Sequence, residues 1–322
     1  MIEDRIFKTF PDGLFKPYIE KFVEFKRSKG VKFGYSALVR MKALNYDLDS
    51  YGQLNVTKEI AEKIMLPRDD DAKYVRAVRI GLLRQFLDFM NLIGIECYRI
   101  PKHITKSVSC DFRPYIFSDD ELGRLFLAAD SLRQWEHVER RNEIYPILLR
   151  LLASSGIRIG EALHLKPSDI DINTGVMRVI NGKNGVSRYV PLSDSMLEHL
   201  TPYWNRFQND PLLFTSRKTG GAYAYGSIRH TYVKLCHEAR INRADGSVPN
   251  MHSLRHTFCT KSLSKLLESG MDLYTAVPVL AAYVGHINFR DTEVYIHFSE
   301  SGFNTFLEKQ SHLERIIPEV TP

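Results

Sequence analysis

The 322 residues contain no run of about 18 or more uncharged apolar side chains, so no membrane-spanning helix is expected. The opening Met1-Ile2-Glu3-Asp4-Arg5 carries acids and leads into no apolar segment, which argues against a secretory signal. Cysteine is scarce. Cys97, Cys110, Cys236 and Cys259 are scattered, and no C-x-x-C pair offers a metal site or a redox couple. That usage fits a reducing cytoplasm. No H-E-x-x-H occurs, and the triplets His137-Val138-Glu139 and His312-Leu313-Glu314 come without the P-C-x-x-C of a zinc deaminase. No metal, other cofactor or small-molecule substrate is called for.

What is present is an ordinary globular composition, 44% apolar and 25% charged, over a length comfortable for two domains. The net charge of +6 is modest but uneven. Residues 1–114 hold 21 Lys+Arg against 15 Asp+Glu, which leaves 23 of each for residues 115–322 out of totals of 44 and 38. A basic front attached to a neutral remainder suits a polyanion.

The basic part, residues 1–105, reads as an all-α domain. Leu14, Tyr18, Phe22 and Phe25 recur at helical spacing until Lys29-Gly30. Ser36 is the expected cap of a second helix bearing Leu38, Met41, Leu44 and Leu48. A third runs from Val56 to Met65 and ends before Pro67. After Asp69-Asp70-Asp71 comes the longest, with Tyr74, Val78, Leu82, Phe86 and Phe89 as its apolar stripe. Arg40, Lys42, Lys73, Arg76 and Arg79 lie mostly off these stripes. They fit a solvated face or, with DNA alongside, contacts to phosphates.

Residues 106–116 lack periodicity and read as a linker, flanked by Pro101 and containing Pro114; Lys102 and Arg113 are further candidates for the phosphate backbone. Ser118 and Glu121 then have the spacing of a capping box, which opens a second domain over 117–300. In it an apolar helix from Ile144 to Ser155 ends at Gly156, and Arg158 follows in S-G-x-R-x-G-E-A-L at a new helix start, where main-chain N–H groups favour anions. Glu161, three residues on, shares a face with Arg158. The runs around Val176–Ile180 and Arg188–Leu192 spell a hairpin with Lys183 in its glycine-containing turn. Further helices are expected over Met196–Phe207 and Ser227–Ala239, with Leu212-Leu213-Phe214 strand-like between them. Finally come His252-Ser253-Leu254-Arg255, Gly285-His286 and, nine residues later, Tyr295.

Taken singly, these have plain readings: a structural Arg–Glu pair, a solvated turn lysine, a capping histidine, a core tyrosine. Their order, R-x-x-E, hairpin lysine, H-x-x-R, G-H, Tyr, resembles the tyrosine recombinases, the phage-integrase family, over residues 117–300. The resemblance implies a mainly α fold with a small β-sheet (α+β). An all-α core-binding domain would join a tyrosine-recombinase catalytic domain in a C-shaped clamp on DNA. It implies metal-free cutting and rejoining of double-stranded DNA through a 3′-phosphotyrosyl intermediate. Arg158 and Arg255 would hold the phosphate and Tyr295 would attack it. His252 would assist removal of the phenolic proton, His286 would donate to the phosphate, Lys183 would protonate the departing 5′ oxygen, and Glu161 would orient the site. It further implies a cytoplasmic, nucleoid-associated protein that forms a tetramer on two duplexes, with 301–322 as a tail exchanged between protomers or packed on its own domain. The site is also shared by type IB topoisomerases, so DNA relaxation, or an inert DNA-binding relic, stays open here.

Overall fold

In the computed structural model the chain divides into two compact units, Met1–Phe112 and Arg113–Pro322. The structure describes residues 8–31, 33–69, 73–106, 114–133, 140–180, 187–286, 292 and 295, without the side chains of residues 73, 74, 105 and 106.

The described part of the first unit is helical: α1 (Lys16–Ser28), α2 (Tyr35–Asp49), α3 (Lys58–Met65), α4 (Lys73–Leu92) and a short α5 (Lys102–Lys106). Thr57 begins α3 by accepting the Ile60 N–H. The core is aromatic: Phe22 meets Phe33 at 5.8 Å and Phe86 at 5.5 Å between ring centres, both edge-on. Three expectations need correction. Leu14 precedes α1 and is exposed; Phe15, Ile19, Phe22 and Val23 are the buried set, with Tyr18 and Phe25 half-buried against them. Ser36 caps nothing; Gly34 is the residue before α2, with no side-chain cap. In α4 the buried side chains are Ile80, Leu83, Phe86, Leu87, Phe89 and Met90, with Val78 and Leu82 only half-buried. A strict four-residue repeat drifts by about 40° per step around a helix of 3.6 residues per turn, so it cannot stay on one face.

In the second unit α6 (Asp119–Asp130) opens with the expected capping box, Ser118 and Glu121 each accepting the other's main-chain N–H. The central element is α7 (Arg141–Ser155), whose Ile144, Leu148, Leu149, Leu151 and Leu152 are all buried. It packs on α6, on α9 (Asp194–Phe207) and on α11 (His252–Glu268). Between these lie a five-residue α8 (Ile159–Leu163) and an antiparallel sheet, β1 (Ile170–Asp171), β2 (Val176–Val179) and β3 (Arg188–Pro191), in that order, with Met177 opposite Val190. Helices α10 (Tyr225–Glu238) and α12 (Leu273–Val284) complete the described elements. Leu213 and Phe214 are buried as their apolarity suggests, yet form no strand. Leu212 turns back on Thr215 through a 3.0 Å N–H···Oγ1 bond, and Leu213 donates to the Leu165 carbonyl at 2.7 Å.

Two features fix where the site elements meet. Gly156 ends α7 in the left-handed region, φ 61°, and a Cβ there would lie 2.2 Å from Cδ1 of Phe258, overlapping the edge of its ring. Arg188 on β3 places both terminal nitrogens on Glu161 of α8, at 3.2 and 2.8 Å, and its Nε on the Tyr283 carbonyl of α12 at 2.9 Å. One guanidinium thus joins three segments distant in sequence. Burial works against the charge on Glu161, but the Arg188 hydrogen bonds, then the Arg158 N–H, outweigh it and hold the carboxyl down to about 2.

Gly156→Ala is expected to cost roughly 2–4 kcal/mol, from left-handed strain and overpacking together, read as a lower denaturation midpoint. An unchanged midpoint would contradict the close approach. Because the folded carboxyl of Glu161 titrates below its ordinary 4.5, its contribution is present above that pH and is lost as pH falls toward about 2. Glu161→Gln should therefore destabilise at neutral pH and flatten the stability curve between those limits. A curve parallel to wild type would rule out the linkage.

Candidate functional site

Arg158 stands at the N-cap of α8 with extended main chain, delivered there by the Gly156 turn. Its side chain, 19% exposed, donates to Glu161 Oε1 at 2.9 Å and to the Gly285 carbonyl at 3.3 Å. Glu161 thus serves two arginines, Arg158 and Arg188.

Arg255 lies in the first turn of α11 and is 1% exposed. Its two terminal nitrogens donate to main-chain carbonyls, Gly156 at 2.7 Å and Val284 at 2.7 Å. These carbonyls belong to the turn before Arg158 and the turn before His286, so one side chain ties both motifs to its own. No carboxylate pairs with Arg255 among the described ion pairs, and its Nε is buried without a hydrogen-bond partner among the described residues. Burial pulls its pKa down to about 10. Among the described residues, three guanidinium groups, Arg158, Arg188 and Arg255, thus gather around one carboxylate, Glu161. Such a surplus favours an anion with several oxygens.

Gly285 closes α12 in the left-handed region, φ 68°, and turns the chain so that His286 leaves the helix at the arginine cluster. The Nδ1 of His286 is 2.8 Å from Thr292 Oγ1, and its ring lies parallel to that of Tyr295 with centres 6.4 Å apart. Burial, then the Arg255 and Arg158 charges, lower the His286 pKa to about 3. Tyr295 is 2% exposed and packs with Cys259, Leu263 and Val284. Its Oη is 3.0 Å from His256 Nδ1, and the Cys259 thiol also reaches it. Burial raises the phenol's pKa, while the Arg255 and Arg158 charges work in the opposite direction. His252, the first residue of α11, is exposed and sets its ring edge-on to His256 with centres 4.7 Å apart.

Arg158, Glu161, Arg255, His286 and Tyr295 are thus joined by hydrogen bonds or close charge interactions into one cluster, with the exposed His252 beside it. Lys183 lies outside the described residues, although the strands on either side of its turn are described. Among the proposed backbone contacts, Arg40 and Lys102 are exposed and Lys42 is half-buried. Arg76 and Arg79 donate to the carbonyls of Met65, Ile64 and Leu66 at the end of α3, which is the plain structural use of such side chains. Arg113 and the Lys73 side chain lie outside the described residues. Sequence reading overlooked His256 and took Arg188 only as the end of a hairpin. Helical spacing offered a signal for the first, since His256 follows His252 by four and shares its face. Nothing local reveals the second, because its partners are 27 and 95 residues away.

The profile of the Phage integrase family matches residues 117–301. The chain is 28% identical over 295 residues to the putative integrase/recombinase y4rB of Sinorhizobium fredii, covering 88% of this chain and 92% of that protein. It is 25% identical to the tyrosine recombinase XerA of Pyrococcus horikoshii over 68% of this chain and 66% of that one. Among solved structures, XerH bound to palindromic difH substrate, a post-cleavage complex, shares the fold with a TM-score of 0.66 at 18% identity, over 88% of this chain and 81% of that one. A lambda integrase dimer on a COC′ core site gives 0.59 at 16% identity, covering 85% of this chain and 95% of that one. With more than half of its residues under the family profile, and a mainly helical fold that carries the small antiparallel sheet, the chain belongs to the phage integrase family, the tyrosine recombinases.

Proposed function

We propose that Tyr295 is the nucleophile with which this protein cuts DNA and that Arg158 and Arg255 clamp the phosphate it attacks. The chain is a site-specific tyrosine recombinase, an enzyme that cleaves and rejoins DNA. The observation that carries the assignment of roles is Arg255: a cation only 1% exposed whose hydrogen bonds go to main-chain carbonyls, near a tyrosine only 2% exposed. A buried charge without a counter-ion is costly. A phosphodiester entering the pocket supplies the missing charge, and as phosphorus becomes five-coordinate the growing charge on its non-bridging oxygens meets groups already in place.

In this reading Oη of Tyr295 forms a bond to phosphorus while the bond to the 5′ oxygen breaks, and Lys183 gives that oxygen a proton. His286 donates to a non-bridging oxygen, and His252, exposed at the mouth, passes the phenolic proton to solvent. Glu161 keeps the Arg158 fork oriented. The 3′-phosphotyrosyl link conserves the bond energy, so a 5′ hydroxyl from another strand can reverse the step without ATP. Exchange between two duplexes cuts each strand once, which asks for one protomer per strand and hence a tetramer. The similarity to the putative integrase/recombinase y4rB supports integration or excision of DNA as the reaction's outcome. Arg40, Lys42 and Lys102, with Lys73, Arg76, Arg79 and Arg113, would follow the backbone and add affinity that falls with salt.

On a nicked suicide substrate, wild type should accumulate a covalent protein–DNA adduct visible on denaturing gels. Tyr295→Phe should bind the same DNA and trap none; equal trapping would remove Tyr295 from the role. Arg255→Lys, which keeps the charge but loses the planar fork, should cleave about 10²–10³-fold more slowly. Cleavage within twofold of wild type would remove Arg255 from the clamp.

A further inference from the structure

Besides the Cys259 thiol, the Tyr295 phenol meets His256, a residue that the assignment above leaves without a role. His256 follows Arg255 on α11, about 100° further round the helix, so Arg255 faces the two glycine turns while His256 faces Tyr295. Its Nδ1 is 3.0 Å from Oη, and the two rings sit 5.7 Å apart between centres. Both side chains are more than nine-tenths buried, which limits water's access to the phenolic oxygen. On the other side, the His256 ring meets the exposed His252. From solvent inward the contacts run His252, His256, Tyr295.

We infer that His256 is a further catalytic residue of the cleavage step: a neutral imidazole whose Nδ1 accepts the phenolic hydrogen bond and takes the proton as Oη attacks phosphorus. This deepens the reading of Tyr295 as nucleophile and rests on it. The O–H bond of Tyr295 breaks and an N–H bond forms at Nδ1, Oη bonds to phosphorus, and the electron pair of the broken P–O bond leaves with the 5′ oxygen. The ring, with Nε2–H before the step, becomes imidazolium, and His252 is the next group outward for its proton. The surroundings keep the ring unprotonated beforehand. Burial, then His252, Arg255 and Arg243, bring its pKa down to about 4, with the Tyr295 phenol and Cys259 thiol as the other titratable neighbours. A phosphate bound among those cations cancels part of their field, and so strengthens the ring as a base when substrate is in place. The role that the family resemblance gives to His252 thus divides between two imidazoles one helical turn apart, and His256 is the one on the reacting oxygen.

The test uses the full-length protein on a suicide duplex at saturating concentration, with DNA affinity measured alongside. His256→Phe keeps a ring and loses the acceptor. His256→Asn places Oδ1 near the Nδ1 position, so it accepts a hydrogen bond and cannot hold a proton. Both should bind DNA as wild type does and form the Tyr295 adduct about 10²–10⁴-fold more slowly. His256→Gly should regain rate with added imidazole. Two results would overturn the inference: His256→Asn cleaving at the wild-type rate, or His256→Gly ignoring imidazole. Should His256→Phe lose DNA affinity through misfolding, the Asn and Gly variants still decide. If wild type itself gives no Tyr295-dependent adduct, it is the nucleophile that is wrong; if the adduct forms normally in every His256 variant, only the base is wrong.

Discussion

The second unit is built around a buried arginine that has no counter-ion among the described residues. Arg255 enters from the first turn of α11 and spends its terminal nitrogens on Gly156 and Val284, the residue ending one helical turn and the residue just before another. Main-chain carbonyls orient a guanidinium without neutralising it. That choice of partner keeps the cation's full charge available, and it sets the spacing of the Arg158 and His286 motifs from the same point. A carboxylate in place of either carbonyl would stabilise the empty fold and weaken the pocket for an anion.

The other polar ties follow from this. Glu161, the one carboxylate in the cluster among the described residues, is committed to Arg188 and Arg158, so it steadies the arginines without cancelling the surplus. Arg188 carries that order outward to β3 and α12. Glycine is required at Gly156 and Gly285 for one reason in both cases: a helix must stop with positive φ just where an arginine approaches its terminal carbonyls. The surplus charge then explains the titration behaviour around it. His286 and His256 are held neutral by burial and by neighbouring cations, and the phenol of Tyr295 is held protonated by burial. The two imidazoles and the phenol are thus uncharged groups beside fixed cations, an arrangement that suits the phosphate proposed as their partner.

Much of this was legible in the residues. The glycine before Arg158, the R-x-x-E spacing, the capping box at Ser118 and the apolar α7 each depend on neighbours within a few positions, and short-range rules read them correctly. The order of the H-x-x-R, G-H and Tyr motifs pointed to the family whose profile matches residues 117–301. Where reading failed, the deciding contacts were distant or the period was misjudged. The α4 stripe was drawn on a four-residue repeat, and the helix rotated it off the core. Arg76 and Arg79 lie off that stripe, and their side chains reach the carbonyls at the end of α3, partners that the stripe did not reveal. Arg188 meets partners 27 and 95 residues away and His256 meets Tyr295 39 residues away; the face shared with His252 hints at His256, but no local pattern encodes either pairing.

The claim that everything else serves is that Tyr295 ends up joined to DNA inside a pocket of arginines. The direct measurement is to digest the trapped adduct with trypsin and sequence the nucleotide-bearing peptide by mass spectrometry. Cleavage after Arg290 and Lys309 releases residues 291–309, in which Tyr295 is the single tyrosine. Fragmentation should place a 3′-linked nucleotide on Tyr295. A nucleotide on any other side chain, or an unmodified 291–309 peptide from a purified adduct, would contradict the account.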